Sequence, residues 1–310
     1  MQPIVALAGG VGAARFLDGL LAMTPPDRVV IVGNTGDDFE LHGLHISPDL
    51  DTVAYTLAGI SDPERGWGIR GDTHECLRSL GRYGRPTWFQ LGDRDLATHL
   101  YRTELLRQGL GLSEATARIC ERLGVTTKIL PATEARLRTR VDTPEGRLDF
   151  QVYFVERRTE PEVTGVVFDG AETARPAPGV LEAIMAASAV ILCPSNPLIS
   201  IGPILAVPGI REALRTTPAR VAAISPIVGG KALKGPADRM MHSLGLEPSA
   251  VAVARMYRDF LDVFVMDEAD RACAPAVEAL GMRAVVTQTV MRDAATRRAL
   301  AATTLEALHP

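Results

Sequence analysis

Short apolar runs alternate with amphipathic segments along the chain, and this alternation predicts an α/β fold. The first apolar run, Ile4 to Leu7, ends at a glycine turn, and residues 13–23 then space their apolar positions as a helix does. A second run, Val29 to Val32, ends at Gly33-Asn34. Strand, turn, helix and strand form a βαβ unit, and such units build parallel sheets with right-handed crossovers. We therefore predict a Rossmann-like, mostly parallel sheet flanked by helices.

The same alternation of apolar runs and amphipathic segments predicts further strands and helices in the rest of the chain. Apolar runs predict strands at residues 87–91, 190–193, 221–224, 263–266 and 284–286. Helical spacing predicts helices at residues 113–123, 181–187, 236–244 and 292–308.

One segment departs from this rhythm. Thr139 to Asp142 and Arg147 to Val155 flank Thr143-Pro144-Glu145-Gly146, which has the composition of a hairpin turn. We predict that this hairpin belongs to a small inserted subdomain at residues 131–178. The Rossmann-like core then comprises residues 1–130 and 179–310.

Composition and charge narrow the possible partners and location. The 310-residue chain has a formal net charge of −4 and only 5% aromatic residues, which argues against a nucleic-acid-binding protein. Its four cysteines lie far apart, which indicates neither a disulfide framework nor a zinc site and favours a reducing, cytoplasmic location. Residues 183–210 carry no charge, but four prolines interrupt them, so we predict no membrane segment.

A glycine turn follows the first strand and opens the first helix. Gly9, Gly10 and Gly12 would let backbone N–H groups approach an anion at the helix N-terminus. The pattern is not a full dinucleotide fingerprint, because Arg15 stands where the third glycine would be. A tight turn without any ligand is the alternative interpretation.

Acidic residues are dense in the two loops after the second strand. Asn34-Thr35-Gly36-Asp37-Asp38 is followed by Ser47-Pro48-Asp49-Leu50-Asp51. Open α/β sheets place ligands beyond the carboxyl ends of their strands, and carboxylate clusters suit Mg²⁺ shared with substrate phosphates. These acids predict a magnesium site formed by Asp37, Asp49 and Asp51. The alternative is that they only cap turns and helices.

Other loops contribute candidate ligand contacts. Ser195, Asn196 and Ser200 follow a predicted buried strand and offer uncharged hydrogen-bonding groups, which suit a base or ribose. Gly229 lies in a similar loop, where Lys231 or Lys234 could face phosphates. The remaining candidate ligand contacts are Asn34, Thr35, Trp67, Asp72, Gln90 and Asp93.

The sequences of these loops and their order along the chain resemble those of one family. It is the family of 2-phospho-L-lactate transferases of coenzyme F-420 biosynthesis, called CofD in archaea and FbiA in mycobacteria. The matching segments extend from Gly9 to about Arg271. They are GGVGAARFLDGL, NTGDDFELHGLHISPDLDTV, WGIRGDT, LGDRDLATH, PSNPLISIGPIL, ISPIVGGKALKGPA and DFLDVFVMDE.

The resemblance implies an enzyme that transfers a phospholactyl-type group from a guanosine diphosphate-linked donor to the deazaflavin Fo. It implies GMP release, use of Mg²⁺, a Rossmann-like core with an inserted subdomain, and a homodimer. The acid of the donor, whether lactate, enolpyruvate or glycerate, stays open.

The resemblance also implies roles for individual residues. Asp51 matches the position expected to contact Fo, and with Asp49 it is the predicted catalytic pair. The SNP and ISPIVGG loops match segments expected to hold the guanosine donor. Gln90 departs from the family, in which the position before LGD is commonly basic.

Two other functions compete with the transferase. One is a nucleotide-sugar-binding regulator similar to the gluconeogenesis-factor family, which shares the glycine-rich start but catalyses no reaction. The other is a nicotinamide-dependent dehydrogenase, disfavoured by the missing third glycine. The PDLD and GDRDLATH segments favour the transferase.

Overall fold

A computed structural model describes residues 2–309 of the chain. Its strands, in chain order, are β1 (Ile4–Ala8), β2 (Val29–Gly33), β3 (Phe39–Leu41), β4 (Leu44–Ile46), β5 (Lys128–Pro131), β6 (Arg138–Thr143), β7 (Gly146–Asp149), β8 (Gly165–Asp169), β9 (Ala189–Leu192), β10 (Arg220–Ile224), β11 (Ile227–Val228), β12 (Lys231–Ala232), β13 (Val263–Asp267) and β14 (Arg283–Thr287).

Helices lie between many of these strands. The α-helices are α1 (Gly10–Leu21), α2 (Pro48–Leu57), α3 (Glu75–Arg82), α4 (Asp93–Arg107), α5 (Leu112–Arg122), α6 (Val180–Met185), α7 (Gly202–Ala206), α8 (Ile210–Thr216), α9 (Ala237–Ser243), α10 (Ala250–Met256), α11 (Ala274–Glu278) and α12 (Ala294–Leu308). Short 3₁₀ segments occur at Pro26–Arg28, Ala171–Thr173 and Glu268–Cys273, and π-helical turns at Val152–Glu156 and Pro197–Ile201.

Seven strands form one parallel sheet in the order β14-β13-β10-β9-β1-β2-β5. The chain builds this sheet outward from β1 through β2 to β5, and then returns to the other side of β1 with β9. The crevice beyond the carboxyl ends of β1 and β9 is therefore a topological switch point, where such sheets bind ligands. The predicted Rossmann-like fold is confirmed.

Both faces of this sheet are covered by helices. Val5 and Leu7 of β1 belong to the core beneath α6 and α8, whereas Ala6 and Ala8 face the core beneath α1 and α12. Successive strand residues point to opposite faces, so a strand covered on both sides must be apolar throughout. This requirement explains the continuous apolar runs that identified the strands in the sequence.

The inserted region carries a separate three-stranded antiparallel sheet in the order β7-β6-β8. The predicted hairpin is present, but its second strand ends at Asp149, and residues 150–156 are helical. The prediction of a strand to Val155 is wrong because Phe150 and Tyr153, three residues apart, pack on one side against Ile199. The division into a core and a 131–178 subdomain stays a prediction.

The predicted strand at residues 87–91 is also wrong, since this segment is irregular. Its apolar residues pack through their side chains instead of joining a sheet. The rings of Trp88 and Phe89 lie 6.0 and 4.8 Å from that of Phe39, centroid to centroid. Leu91 is fully buried in the same small cluster. The apolar run therefore arises from side chains buried in this small cluster and not from a strand.

Within residues 2–309, no single helix has both the length and the apolar composition needed to cross a membrane. Pro197–Ala206 and Ile210–Thr216 meet those criteria only when taken together, and the two segments are bent by 86° relative to each other.

Candidate active site

A cavity of about 830 Å³ lies at the switch point of the sheet. The loops after β1, β9, β10 and β14 contribute to its wall, together with the start of α2 and the helical end of the inserted hairpin. Most of the predicted site residues line it. These are Gly9, Gly10, Gly12, Asp37, Asp49, Asp51, Trp67, Gln90, Ser195, Asn196 and Ser200.

The glycine turn allows β1, α2 and the loop after β9 to meet. A Cβ atom placed on Gly9 would lie 2.6 Å from the Ser200 Cβ and 2.8 Å from an Asp49 carboxylate oxygen. A Cβ on Gly12 would collide with the Pro194 carbonyl. The Gly9 N–H donates to the Ser195 Oγ at 3.3 Å. The glycines thus permit close packing at the N-terminus of α1, and they leave its backbone facing the cavity.

Asn34 lies beneath the cavity and orients Asp49. Its side-chain amide donates to the Asp49 Oδ2 at 2.8 Å and to the Ile199 carbonyl at 3.2 Å. Its Oδ1 accepts from the Gly36 N–H at 2.8 Å. Asn34 is fully buried and therefore acts through Asp49, whereas the sequence predicted a direct ligand contact.

Asp37 and Asp49 form a buried acidic pair without a cationic partner in the described part of the chain. Burial raises the pKa of Asp49 to about 7, the charge of Asp38 adds to this shift, and the hydrogen bond from Asn34 opposes it. Burial and the neighbouring Asp49 raise the pKa of Asp37 well above its usual range. The Asp37 Oδ1 has no hydrogen-bond partner within residues 2–309. A bound cation would favour the ionised form of both carboxyl groups.

Asp51 has a different environment, although it lies only two residues from Asp49. Both of its carboxylate oxygens accept from the Arg102 guanidinium, one of them at 3.0 Å. The Arg102 side chain is 1% exposed. Burial alone would lower the pKa of Arg102, but Asp51 raises it. This bidentate pairing argues against Asp51 as a direct metal ligand.

A second polar layer supports this ion pair. The His99 Nδ1 lies 3.6 Å from Asp51, and its Nε2 lies 3.2 Å from Asp95. The Tyr55 hydroxyl donates to Asp95 at 2.8 Å. Burial works against ionisation of Asp95, but the neighbouring His99 and the hydrogen bond from Tyr55 lower its pKa.

Arg102 was missed by the sequence analysis. Asp95, His99 and Arg102 are spaced i, i+4 and i+7, so they share one face of α4. A polar stripe of this kind, at helical spacing next to the buried Leu96 and Leu105, is the signal that would have found it. The position of its partner, 51 residues earlier in the chain, follows only from the fold.

Besides Asn34, four predicted residues lie outside the cavity lining. Asp72 accepts from the Arg94 and Asp95 N–H groups at the start of α4, and Asp93 accepts from the Glu75 and Cys76 N–H groups at the start of α3. These carboxylates therefore cap helices. The other two residues are Thr35, which is buried, and Gly229, whose N–H donates to Asp270.

Aromatic side chains line a part of the cavity that the sequence did not predict. Phe89, Phe150 and Phe154 contribute to the wall, and the rings of Phe150 and Phe154 stack at a centroid distance of 5.5 Å. Trp67 lies in the lining and is 40% exposed. Flat apolar surfaces of this kind suit an aromatic ring system.

Within this site, the acidic pair of Asp37 and Asp49 has the features expected of ligands to a divalent cation. Within residues 2–309, no three Asp, Glu, His or Cys side chains are arranged to hold an ion by themselves. Mg²⁺ commonly takes one or two protein carboxylates and completes its shell with water and substrate phosphates. Asp37 and Asp49 meet that description, since both are buried, line the cavity and lack a cationic partner among the described residues.

Comparison with known proteins gives matches over nearly the whole chain. The family described as 2-phospho-L-lactate transferase CofD matches residues 4–306. A phosphoenolpyruvate transferase of Kitasatospora aureofaciens is 45% identical over 309 residues, covering 97% of this chain and 96% of that protein. A phosphoenolpyruvate transferase of Nocardia farcinica is 47% identical over 288 residues, covering 89% and 87%. A 2-phospho-L-lactate transferase of Methanosarcina mazei is 39% identical over 304 residues, covering 98% and 100%.

A solved structure has the same fold at much lower sequence identity. A protein of the UPF0052 family from Bacillus halodurans aligns with a TM-score of 0.62 and 16% identity, covering 98% of each chain. The predictions of a Rossmann-like fold and of a transferase are confirmed. The match over residues 4–306 and the identity to curated transferases show that the chain belongs to the 2-phospho-L-lactate transferase CofD family.

Proposed function

We propose that the chain transfers the phosphorylated acid of a guanosine diphosphate-linked donor to the deazaflavin Fo, releasing GMP. The product is coenzyme F-420-0 or its dehydro form. The observation that carries this proposal is the position of Asp49, which accepts from Asn34 and adjoins the glycine turn in the lining of the same cavity as Ser200. The family match supports the reaction class.

The chemical step needs positioning more than a protein nucleophile. A ribityl hydroxyl of Fo attacks the phosphorus that carries the acid, and a new P–O bond forms. The P–O bond to the GMP phosphate breaks, its electron pair stays with GMP, and the hydroxyl proton passes to water. Such phosphoryl transfers are accelerated mainly by alignment and by neutralisation of charge.

Mg²⁺ is proposed as the cofactor, held by Asp37 and Asp49. When bound, it would neutralise charge on the donor diphosphate. Asn34 keeps the Asp49 carboxylate turned toward the cavity. Asp51 is held by Arg102, and we assign it to contact with Fo and not to the metal.

The two substrates are proposed to occupy different halves of the cavity. Ser195 and Asn196 follow β9 and offer hydrogen bonds to the guanosine, and the Asn196 Nδ2 has no partner within residues 2–309. Asp51 is assigned to the half proposed for the deazaflavin ring, and the stacked rings of Phe150 and Phe154 offer a flat apolar surface in the same cavity lining.

We infer that the acid of the donor is enolpyruvate. Two relatives named phosphoenolpyruvate transferase are 45% and 47% identical to this chain, whereas the Methanosarcina mazei protein named 2-phospho-L-lactate transferase is 39% identical. This difference supports the dehydro form of the product.

A competition experiment tests the function and the acid together. The chain is incubated with Fo, Mg²⁺ and equal amounts of the enolpyruvate, lactate and glycerate donors, and the products are separated by mass spectrometry. We expect the enolpyruvate adduct of Fo and an equal amount of GMP. A parallel reaction in EDTA should stop and should resume when Mg²⁺ is added. Absence of any Fo adduct contradicts the proposed function, and a dominant lactate adduct contradicts only the choice of acid.

We further propose that the chain is a cytoplasmic homodimer. Its four cysteines are free thiols, which supports a reducing compartment. Light scattering of the purified chain would measure its oligomeric state directly.

A further inference from the structure

Three cationic side chains converge on one edge of the cavity and take no part in the site described above. Arg15 lies on α1, Arg65 precedes Trp67 in the loop after α2, and Lys234 follows β12. The Lys234 ammonium donates to the Arg65 carbonyl at 3.0 Å, and the Arg65 guanidinium lies 5.5 Å from the centroid of the Trp67 ring. We refer to Arg15, Arg65 and Lys234 as the basic trio.

The positive charges of the basic trio are only partly offset by the protein, through Asp62, which accepts from the Arg65 backbone N–H at 3.1 Å and lies near the Arg65 charge. Within residues 2–309, none of its three members forms an ion pair with an acidic side chain. Burial and the neighbouring Arg297 lower the pKa of Arg15, while burial and Arg15 lower the pKa of Lys234. Like charges held together beside a cavity repel one another, and an anion between them would relieve that repulsion.

We propose that the basic trio binds the phosphate oxygens on the guanosine side of the donor, which leave as GMP. This inference rests on the proposed function. When the P–O bond to GMP breaks, its electron pair stays on the departing phosphate oxygen. Arg15 and Lys234 stabilise the negative charge that develops there, while the hydroxyl of Fo forms the new P–O bond at the other side of the phosphorus.

The position of the trio relative to Asp49 favours the leaving phosphate over the acid end of the donor. Asp49 adjoins Gly9 and Gly10 at the start of α1, whereas Arg15 lies five residues after Gly10. Five residues advance an α-helix by roughly 7 Å. Lys234 belongs to the segment after β10, on the same side of β1 as β9 and the loop proposed for the guanosine. In this proposal the trio contacts the departing phosphate, and the acidic pair lies at the start of α1 beside the phosphorus that carries the acid.

Calorimetric titration tests this assignment with three ligands in EDTA, which removes any contribution from metal. GDP, guanosine and phosphoenolpyruvate are titrated separately into the wild-type chain and into Lys234→Met, Arg15→Met and Lys234→Arg. We expect each Met variant to bind GDP about tenfold more weakly, because a charged contact to phosphate is lost. Guanosine affinity should be unchanged, and Lys234→Arg should retain wild-type GDP affinity.

Lys231→Met provides the matched control. Lys231 is an exposed lysine only three residues from Lys234, and it does not line the cavity. Its GDP affinity should equal that of the wild type. Equal GDP affinity in the Lys234→Met and Arg15→Met variants overturns the inference while leaving the proposed function intact. Weakened phosphoenolpyruvate binding with intact GDP binding would move the trio to the acid end and also overturns it. A wild-type chain that binds GDP neither in EDTA nor with added Mg²⁺ contradicts the proposed function itself.

Discussion

The first turn of α2 carries two acidic residues, and the charged groups around them differ. Asp49 belongs to a region with another buried carboxyl group, Asp37, and no cation from the described part of the chain. Asp51 belongs to a region where Arg102, His99 and Asp95 already form a connected network. Asp49 therefore lies where buried negative charge has no cationic partner, and we call this the unbalanced region. Asp51, two residues later, lies beside a cationic partner, and we call this the balanced region.

This contrast distinguishes residues whose charge a bound ligand would compensate from residues that fix the geometry of the site. A buried ion pair whose charges match contributes fixed geometry, and removing one partner leaves an uncompensated buried charge. A buried carboxyl pair without a cation is costly until a metal or a proton joins it. The same residue type at neighbouring positions therefore has different consequences for stability and for activity.

The largest expected effect is on the stability of the balanced region. Asp51→Asn should lower the free energy of unfolding by about 3–5 kcal/mol, because it leaves the buried Arg102 guanidinium unpaired. Loss of activity in this variant therefore cannot be assigned to the chemistry until folding has been measured. Urea denaturation followed by circular dichroism measures the change.

An exposed ion pair of the same chemistry supplies the control. Arg211 and Asp259 also form a two-point contact, but their side chains are 41% and 32% exposed. Asp259→Asn should cost no more than about 1 kcal/mol. If Asp51→Asn and Asp259→Asn have the same small cost, Arg102 does not depend on Asp51 as described.

The next effect is on turnover in the unbalanced region. Asp49→Asn should reduce kcat by about 10²–10³-fold, because the proposed metal loses a carboxylate while the substituted amide can still accept from Asn34. Steady-state assays of GMP release measure this change. Asp27→Asn, at an exposed position in the Pro26–Arg28 turn, should turn over at the wild-type rate. Normal turnover in folded Asp49→Asn would remove Asp49 from the catalytic machinery.

The unbalanced region should also make stability depend on pH in the absence of metal. The pKa of Asp49 is about 7 in the folded chain and near 3.8 in its ordinary state, so the folded chain binds the proton more tightly. Its contribution is fully present below about pH 4 and is lost as the pH rises through about 7. At pH 8 the lost contribution amounts to at most about 4 kcal/mol.

Unfolding in EDTA at pH 5 and pH 8 measures this effect. Because other groups also titrate, the informative quantity is the difference in unfolding free energy between Asp49→Asn and the wild type. That difference should shift in favour of the variant as the pH rises, since the amide does not ionise. A difference that is independent of pH would show that Asp49 does not have the raised pKa.

The smallest expected effect lies on the donor side of the cavity. The Asn196 Oδ1 accepts from the Leu198 N–H at 2.9 Å and caps the turn at Pro197–Ile201. Asn196→Asp keeps this acceptor, replaces the Nδ2 donor by a second acceptor oxygen and adds a negative charge. Guanosine binding should weaken by about 1–3 kcal/mol, while Fo binding stays unchanged. Calorimetry that shows weaker Fo binding and intact guanosine binding would reverse the two halves of the cavity.

Much of this architecture could be predicted from the sequence alone. Strands buried on both faces must be continuously apolar, so Ile4–Leu7 and Val190–Cys193 were identifiable without any structure. Because ligands lie at the carboxyl ends of such strands, the loops that begin at Gly9 and at Pro194 were identifiable as well. The family resemblance then indicated the reaction class, which the comparisons support.

Only the tertiary structure decided which polar side chains meet. Arg102 pairs with Asp51, which lies 51 residues earlier in the chain. Asp72 caps the start of α4 and Asp93 caps the start of α3, although in the sequence both look like Asp49, an acid in a loop. Local periodicity reports whether a residue faces the core, but the charge state and role of a buried acid depend on what lies opposite it. That partner comes from another element, so its identity depends on how the helices and loops pack around the sheet.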